Sequence, residues 1–406
     1  MIGEPRPRPP GRGPRVLVTD GETRAALAAV RSLGRAGYDV SVAATRLPSL
    51  ASTSRFARQS VSLPAPSEDP GGAAARLATV AEAWRIEVVL PVTDATMGAV
   101  LRHLGPRVGS AVVAGPSLEA YEAIADKSAL LDRAARAGCP TPRTALARGP
   151  SELADAMETV GFPCVLKPNR SVVAVPDGVR NPGVRYVATA RGVVPDYPAT
   201  VYPILVQERV VGPGEGVFLL MDRGQRVAAF AHRRLREKPP AGGVSTYRES
   251  IALPADLLCT AERLLADLDW HGAAMVEFKR CARTARGILM EVNGRLWGSL
   301  QLAIDAGVDF PVLAASLARG EPVEPVEVYR VGVRSRWWWG DVDHLVARLR
   351  HSPTWLGLPP GAPSRWQTVC DFLHVWRSAD RLEVWDADDP LPFLRETIDW
   401  FRGRSA

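Results

Sequence analysis

The sequence predicts a multidomain protein of mixed α/β and α+β class, because two long regions combine strands and helices in different ways. Between about residues 14 and 117, apolar strands such as R-V-L-V and Y-D-V-S-V-A-A-T alternate with helical segments that end at glycines. This alternation is typical of a parallel sheet in a Rossmann-like unit. From about Tyr121 onwards, strands follow strands across turns rich in glycine and proline. At 406 residues, the chain is also too long for one domain of ordinary size.

We therefore expect four segments along the chain. They are a disordered Pro/Arg tail at 1–13, the Rossmann-like domain at 14–117, an α+β domain at 118–322 and a Trp-rich helical region at 323–406.

Composition removes several classes of function from consideration. No run of 18 apolar residues occurs, and the amino terminus lacks the apolar core of a signal peptide, so neither a membrane span nor secretion is expected. The five cysteines are scattered and odd in number, which favours a reducing cytoplasm. The net charge of +6 comes from dispersed arginines without interleaved aromatics, so nucleic acid is not an expected partner.

Three oxygen-bearing side chains stand inside two predicted strands of a hairpin. Glu277 lies within M-V-E-F-K, and Glu291 and Asn293 lie within I-L-M-E-V-N-G-R. Strand alternation puts Glu291 and Asn293 on one face, where buried carboxylates need a partner. A set of oxygen ligands without His or Cys suits Mg²⁺. Alternatively, the carboxylates form ion pairs with Arg295 and Lys279.

Lysine is rare in this chain, which draws attention to the positions that keep it. Of 50 Lys and Arg residues only four are lysine, namely Lys127, Lys167, Lys238 and Lys279. A lysine supplies a compact ammonium on a flexible stem, which suits a phosphate oxygen. Lys127 opens a short helix and Lys167 lies inside an apolar strand. Lys279 shares the Glu277 face by alternation, but we expect it to point to solvent near the end of the hairpin.

Polar residues also stand at the ends of the predicted strands in the first domain. Asp20 and Gly21 follow one strand, and Thr93 and Asp94 follow another. Open α/β sheets bind ligands at such positions. Capping of the following helices is the alternative role for Asp20 and Thr93.

Six motifs in order resemble the ATP-grasp superfamily, specifically the carboxylate–amine ligases with a carbamoyl-phosphate-synthase-like ATP-binding core. They are D-K, V-L-K-P, Q-E-x-x-x-G-x-G-E, G-G-x-S, E-F and E-V-N-G-R. The resemblance covers about 14–322. It implies a pre-ATP-grasp Rossmann-like domain and an ATP-grasp domain with a small lobe at about 118–200 and a large lobe at about 201–322. The implied reaction forms ADP and an acyl phosphate, which an amine then captures.

The same resemblance implies roles for individual residues. Lys127 and Lys167 would neutralise phosphates, with Ser171 as a further phosphate contact in a loop that is poorer in glycine than the family pattern. Lys238 would close over the γ-phosphate from a mobile loop, Arg295 would steady the transferring group, and Arg248 would hold the substrate carboxylate or lie on the surface. The nucleoside would meet Gln207, Glu208, Arg209 and Val211 at the adenine and Glu215 at the ribose. Glu277, Glu291 and Asn293 would bind Mg²⁺, with Mn²⁺ as an alternative ion.

Two other functions stay open on the sequence alone. A kinase-like phosphotransferase would use the same ATP-binding fold, although the six histidines fit no phosphohistidine motif. A nucleotide-binding protein without catalysis is the third candidate, and the full set of Glu277, Glu291, Asn293 and Arg295 disfavours it. The expected partners are a small carboxylic acid, with an amino acid as the first candidate, and an amine. The region at 323–406 would serve either homodimerisation or the choice of acceptor.

Overall fold

The computed structural model describes residues 13–170, 173–175, 178–180, 183–189, 197–359, 361–373 and 380–403. All but the last residue of the predicted tail, and the predicted phosphate contact Ser171, lie outside these residues.

The first domain is built on a six-stranded sheet in the order β3-β2-β1-β4-β6-β5. Its strands are β1 Arg15–Val18, β2 Asp39–Ala44, β3 Ala57–Ser62, β4 Val88–Leu90, β5 Arg107–Val108 and β6 Ala111–Val113, and its helices are α1 Arg24–Arg35, α2 Pro70–Ala83 and α3 Asp94–His103. All neighbouring pairs are parallel except β5 with β6. The buried apolar strands and the crossover helices between them confirm the predicted Rossmann-like unit.

Capping, the alternative role considered for Asp20 and Thr93, is found at Thr93 and not at Asp20. Thr23 caps α1 and Thr93 caps α3, each by accepting a hydrogen bond from the backbone N–H three residues on. Asp20 lies in the left-handed region with φ of 57°. Its carboxylate accepts hydrogen bonds from Thr93 Oγ1 at 2.8 Å and Thr96 Oγ1 at 2.6 Å. Asp20 and Thr93 therefore tie the ends of β1 and β4 together.

A small four-stranded antiparallel sheet follows, in the order β11-β8-β12-β7. The elements of this part are α4 Leu118–Ala125, α5 Lys127–Arg136, β7 Thr144–Ala147, α6 Leu153–Val160, β8 Cys164–Pro168, β9 Val173–Val175, β10 Gly178–Arg180, β11 Arg185–Val187 and β12 Ile204–Glu208. The short strands β9 and β10 pair with each other, so the segment expected to be a loop contains a hairpin.

The largest sheet has seven strands in the order β17-β16-β13-β14-β15-β18-β19. Its first five strands and their helices are β13 Gly214–Asp222, β14 Gln225–Lys238, β15 Val244–Ser250, α7 Ala255–Ala266, β16 Gly272–Arg280, β17 Gly287–Asn293, α8 Leu300–Ala306 and α9 Phe310–Ala318. The predicted hairpin is the antiparallel pair β16–β17, and Glu277 stands opposite Glu291.

The C-terminal region adds helices, as expected, and also two strands to this sheet. Its elements are β18 Arg334–Arg336, α10 Trp338–Arg350, α11 Arg365–Leu373, β19 Asp380–Leu382 and α12 Leu391–Phe401. The strand β18 pairs with β15 and β19 pairs with β18. The tryptophans of this region that the structure describes include buried and exposed ones. Trp337 is buried and Trp339 stacks on Trp400, whereas Trp355 and Trp366 are exposed.

One apolar core joins the first domain to the face of the large sheet that carries Phe218 and Phe230. The helices α1, α8 and α9 contribute to this core, together with Trp297 and Trp337. The opposite face of the sheet packs on α5 and α7 around Trp270. Among the described residues no single helix is long and apolar enough to cross a membrane, and α8 with α9 meets these criteria only as a pair bent by 96°.

Candidate active site

Two carboxylates face each other across neighbouring strands at the centre of the candidate site. Glu277 on β16 pairs with Glu291 on β17 in the antiparallel register, so both side chains leave the same face of the sheet. Like charges at this spacing repel each other. Burial raises the pKa of Glu277, and the Glu291 charge adds to this effect. The pair therefore needs positive charge close by.

Two lysines supply that charge. Lys127 at the start of α5 and Lys167 in β8 are each 7% exposed. Lys167 Nζ lies 3.4 Å from the carbonyl oxygen of Met290, next to Glu291. Burial opposes ionisation of Glu291, but Lys127 and Lys167 outweigh it and lower the pKa of this carboxyl group. Burial in turn lowers the pKa of Lys167 to about 8.

Asn169 holds the two lysine-bearing elements together, and the sequence analysis did not single it out. Its side-chain oxygen accepts a hydrogen bond from Ser128 N at 2.9 Å, and its carbonyl accepts one from Lys127 N at 3.0 Å. Asp126 caps α5 by accepting from Ala129 N at 3.0 Å. The start of α5 is thus fixed to the end of β8. The only sequence signal for this role is the position of Asn169 directly after V-L-K-P.

Arg234 on β14 is a second residue that the sequence analysis missed. Its Nη2 lies 2.5 Å from Glu277 Oε2, and its Nη1 donates to Glu237 Oε1 at 3.0 Å. The guanidinium reaches Glu277 past Gly214 on β13, where a Cβ would lie 3.0 Å from Arg234 Cδ. The glycine therefore leaves room for the arginine.

Lys279 belongs to the same face as Glu277, and our expectation that it points to solvent is wrong. It stands two residues after Glu277 on β16 and is partly buried. Its Nζ lies 3.4 Å from the carbonyl oxygen of Val210, in the connection between the four-stranded sheet and the seven-stranded sheet. Burial lowers the pKa of Lys279. The carboxylates of Glu237 and Glu277 act in the opposite direction and raise this pKa.

A chain of hydrogen bonds runs from Glu291 to the first domain. Asn293 Nδ2 donates to Glu291 Oε1 at 3.1 Å, and Arg295 Nη2 donates to Asn293 Oδ1 at 3.1 Å. Arg295 Nε donates to Asp94 Oδ2 at 2.8 Å. Arg295 therefore pairs with Asp94, at a strand end of the Rossmann-like domain, and not with Glu291 as the ion-pair alternative required.

The chemistry of the donor set fits a hard cation shared with phosphate oxygens. Hydrogen bonds and ion pairs among the described residues engage Oε2 of Glu277 and Oε1 of Glu291, and the second oxygen of each carboxylate remains to bind a cation. The described residues contain no group of three His, Cys, Asp or Glu side chains that forms a complete metal site. A cation here therefore needs ligand oxygens in addition to the two carboxylates.

Lys238 and Arg248 lie elsewhere than predicted. Lys238 is the last residue of β14 and not part of a loop, and its Nζ lies 2.7 Å from Asp343 Oδ2 on α10. Arg248 on β15 is completely buried, so a surface position is wrong. It forms an ion pair with Glu383, which also pairs with Arg24 of α1. Both arginines therefore bind an acidic residue of the C-terminal region, because that region packs over the edge of the large sheet.

The predicted nucleoside contacts lie at the end of β12 and the start of β13. Gln207 is buried, and its Nε2 donates to Thr144 Oγ1 at 2.9 Å. Glu208 Oε2 accepts from Arg143 Nε at 3.0 Å, and Arg209 donates to the carbonyl oxygen of Gly357. Val211 and Glu215 complete this set: Val211 is 39% exposed, and Glu215 forms an ion pair with Arg280 at 2.8 Å. These contacts place the five side chains, whereas nucleoside binding by them stays a prediction.

Comparisons with known proteins agree with this architecture. Residues 200–338 match a family model described as "ATP-grasp in the biosynthetic pathway with Ter operon". No curated protein matches the chain. A biotin carboxylase from Campylobacter jejuni is similar, with a TM-score of 0.60 and 17% identity over 79% of this chain and 74% of that one.

Two further solved structures give the same result. An ADP complex of N5-carboxyaminoimidazole synthetase from Staphylococcus aureus has a TM-score of 0.62 and 13% identity, covering 79% of this chain and 81% of that one. An L-amino acid ligase from Bacillus licheniformis has a TM-score of 0.56 and 17% identity, covering 78% and 76%. This chain has the ATP-grasp fold. The fold that the resemblance implied is thereby confirmed, and residues 200–338 match a model of an ATP-grasp family.

Proposed function

We propose that this protein is an ADP-forming ligase that activates a small carboxylic acid as an acyl phosphate and joins it to an amine. The observation that carries the proposal is the convergence of Lys127, Lys167 and Lys279 on the opposed carboxylates Glu277 and Glu291. Positive and negative groups in one buried place suit ATP and a divalent cation bound together.

The charge distribution supports transfer at the γ-phosphoryl group of ATP. Lys127 and Lys167 would neutralise phosphate oxygens, and Glu277 and Glu291 would hold Mg²⁺ with those oxygens. Bound there, the cation would neutralise charge on the phosphoryl oxygens during the transfer. Arg295 is oriented by its hydrogen bonds to Asp94 and Asn293. Its guanidinium group would stabilise the reacting carboxylate and the phosphoryl group.

The similar structures support the same class of reaction. They are a biotin carboxylase, an N5-carboxyaminoimidazole synthetase and an L-amino acid ligase. For this chain we propose a small-molecule acid and an amine as substrates, ATP with Mg²⁺ as the energy source, Mn²⁺ as a substitute ion and the cytoplasm as the compartment.

The nucleotide product tests the proposal against adenylation. The protein would be incubated with ATP, Mg²⁺ and a pool of amino acids and other small acids, and the nucleotides would then be separated. We expect ADP and phosphate, formed only when a suitable acid is present. AMP and pyrophosphate as main products would contradict the proposal. ADP formation with a phosphorylated hydroxyl compound as co-product would support the kinase-like alternative instead.

A further inference from the structure

A cavity of about 290 Å³ lies between Glu291 and the helix α3 of the first domain. Its near end is lined by Lys127 and Glu291, which belong to the proposed ATP and cation site, and by Asn293, which donates a hydrogen bond to Glu291. Its far end is lined by Arg102 of α3 and Arg170, which follows β8. A ligand that fills the cavity therefore meets charged groups at both ends.

The walls between the two ends are mostly apolar. Ala95 and Ala99 lie one turn apart on α3, and Ile124 lies on α4. The hydroxyl of Tyr121 donates to the carbonyl oxygen of Asp94 at 2.9 Å, and burial raises the pKa of this phenol. With its hydroxyl engaged, Tyr121 presents its ring to the cavity. The small alanine side chains leave room for a short carbon chain.

The far end carries excess positive charge. Arg102 Nε and Nη2 lie 2.8 and 2.5 Å from Glu122 Oε1, and Arg170 Nη1 lies 2.6 Å from Glu122 Oε2. Two guanidinium groups thus share one carboxylate, which leaves one positive charge uncompensated within this trio. Burial opposes ionisation of Glu122, but Arg170 and Arg102 lower the pKa of this group, so the carboxylate stays charged at neutral pH.

Both arginines retain the freedom to bind a ligand. The side chain of Arg102 is 49% exposed and that of Arg170 is 43% exposed, and each also lines the cavity. A guanidinium group has five N–H donors, so one ion pair does not exhaust it. Arginine binds carboxylates with two parallel hydrogen bonds.

We propose that the acid substrate is a dicarboxylic acid, such as an acidic amino acid. This inference rests on the proposed ligase function. One carboxylate lies at the near end, beside Lys127 and Glu291, where it is activated. The second carboxylate binds Arg102 and Arg170, and the carbon chain between them lies against Ala95, Ala99 and Ile124.

The test compares acids that differ only in the distal charge. ADP release and hydroxamate formation would be measured with ATP, Mg²⁺ and hydroxylamine as the amine, using glutamate against glutamine, aspartate against asparagine, and glutarate against pentanoate. We expect at least a tenfold higher kcat/KM for one or more of the diacids than for the matching acid that lacks the second carboxylate.

Variants then assign the preference to the far end of the cavity. Arg102→Gln and Arg170→Gln should each raise KM for the diacid about tenfold, a loss typical of one removed charged contact. KM for ATP and the turnover of the monoacid should stay within twofold of wild type. Arg133→Gln is the matched control, because Arg133 also forms an exposed helix-surface ion pair, with Asp267 at 2.6 Å, but does not line the cavity.

The experiments distinguish failure of the proposed ligase function from failure of the proposed dicarboxylic acid substrate. If none of the acids releases ADP, the ligase function is wrong and this inference falls with it. If the monoacids react as well as the diacids, or if Arg102→Gln lowers the turnover of both equally, the ligase function stands and the second carboxylate subsite is wrong. A lower melting temperature without a change in the KM ratio would show that Arg102, Glu122 and Arg170 only hold the two domains together.

Discussion

At the scale of single residues, the site depends on two buried carboxylates that stand opposite each other. Glu277 is compensated by Arg234, and Glu291 by Lys127 and Lys167. Such an arrangement is costly without the surrounding cations, because unpaired charge is strongly disfavoured in a protein interior. A bound cation would relieve the remaining repulsion between the two glutamates.

Replacing Glu291 with alanine should therefore stop catalysis without unfolding the protein. We expect a loss of at least about 100-fold in the rate of ADP formation, the size of effect seen when a group that stabilises transition-state charge is removed. Circular dichroism and the melting temperature would check the fold. Glu262→Ala is the control, because Glu262 pairs with Arg226 outside the site. Near-normal activity of Glu291→Ala with Mg²⁺ would show that this carboxylate is not a metal ligand.

The position of Lys279 changes the expectation for a lysine series. From the sequence, Lys279→Met should have little effect, but the structure places its ammonium beside Val210 on the Glu277 face. We now expect both Lys167→Met and Lys279→Met to weaken ATP binding by about tenfold or more, since each removes a charge from the site. Calorimetric titration with a non-hydrolysable ATP analogue measures this, with Arg133→Gln as control. If Lys279→Met bound the ATP analogue as tightly as wild type, Lys279 would not contribute to ATP binding.

The residues that the sequence revealed are those whose chemistry conflicts with their local surroundings. Glu291 and Lys167 interrupt apolar strands, so a charged group there already signals a partner. Arg234 and Asn169 give no such signal, because Arg234 is one of many arginines and Asn169 resembles a turn residue. Their roles depend on pairing between strands that are distant in the sequence, which a local pattern does not contain.

At the scale of elements, the chain just before β13 contains a glycine at a close contact with the backbone of β16. Gly212 has φ of 147°, and a Cβ at this position would lie 1.8 Å from the carbonyl oxygen of Arg280. Because the obstacle is backbone, neither residue can move aside without disturbing the pairing of β13 with β16. The chain between β12 and the large sheet is therefore fixed at this glycine.

Gly212→Ala should destabilise the protein by about 2–4 kcal/mol, from the clash and from the positive φ. Gly149→Ala is the control, since its φ is −156° and a Cβ there meets no atom within 4 Å. Urea unfolding of both variants gives the free energies of unfolding. Equal stability of the two variants would contradict the close approach of Gly212 and Arg280.

The helix α12 carries a carboxyl group that should make stability depend on pH. Glu396 is 8% exposed and accepts a hydrogen bond from Trp337 Nε1 at 2.8 Å. Burial raises the pKa of Glu396 from 4.5 to about 7. The folded state thus binds the proton more tightly than the unfolded state, so its contribution is complete below pH 4.5 and is lost as the pH rises through 7.

Glu396→Gln should remove this dependence. We expect the variant to be more stable than wild type at pH 8, by about 1–3 kcal/mol, and close to wild type at pH 5. Glutamine keeps an oxygen for Trp337 Nε1, so the packing of α12 is retained. Thermal unfolding at the two pH values measures the difference. A stability difference that is the same at both pH values would show that Glu396 does not titrate on folding.

Elements with strong periodic patterns were predictable, and short long-range strands were not. The hairpin β16–β17 and the helix α5 follow from strand alternation and from Gly138 and Pro140 after the helix. The strands β18 and β19 contain three residues each; β18 pairs with the edge strand β15, and β19 pairs with β18. The sequence around Lys238 contains glycines and prolines that suggested a loop, but pairing with Val244 extends β14 through Lys238.

At the scale of the whole molecule, the first domain and the C-terminal region are fastened to the catalytic sheet by charged contacts. Arg295 binds Asp94, which joins the site to α3. Arg31 of α1 donates to Asp389 Oδ2 at 2.9 Å in a buried ion pair, which joins α1 to the C-terminal region. The cavity for the proposed acid therefore has walls from more than one domain, and ATP and the acid would meet where these domains join.

Oxygen transfer from the acid to phosphate tests the central claim most directly. If the carboxylate attacks the γ-phosphorus, one carboxylate oxygen becomes the bridging oxygen of the acyl phosphate, and it leaves with phosphate when the amine attacks the carbonyl carbon. The acid found to release ADP would be labelled with ¹⁸O in both carboxylate oxygens, and the products would be examined by mass spectrometry. We predict one ¹⁸O atom in inorganic phosphate and none in the nucleotide. Label in AMP, or phosphate without label during amide formation, would contradict the proposed mechanism.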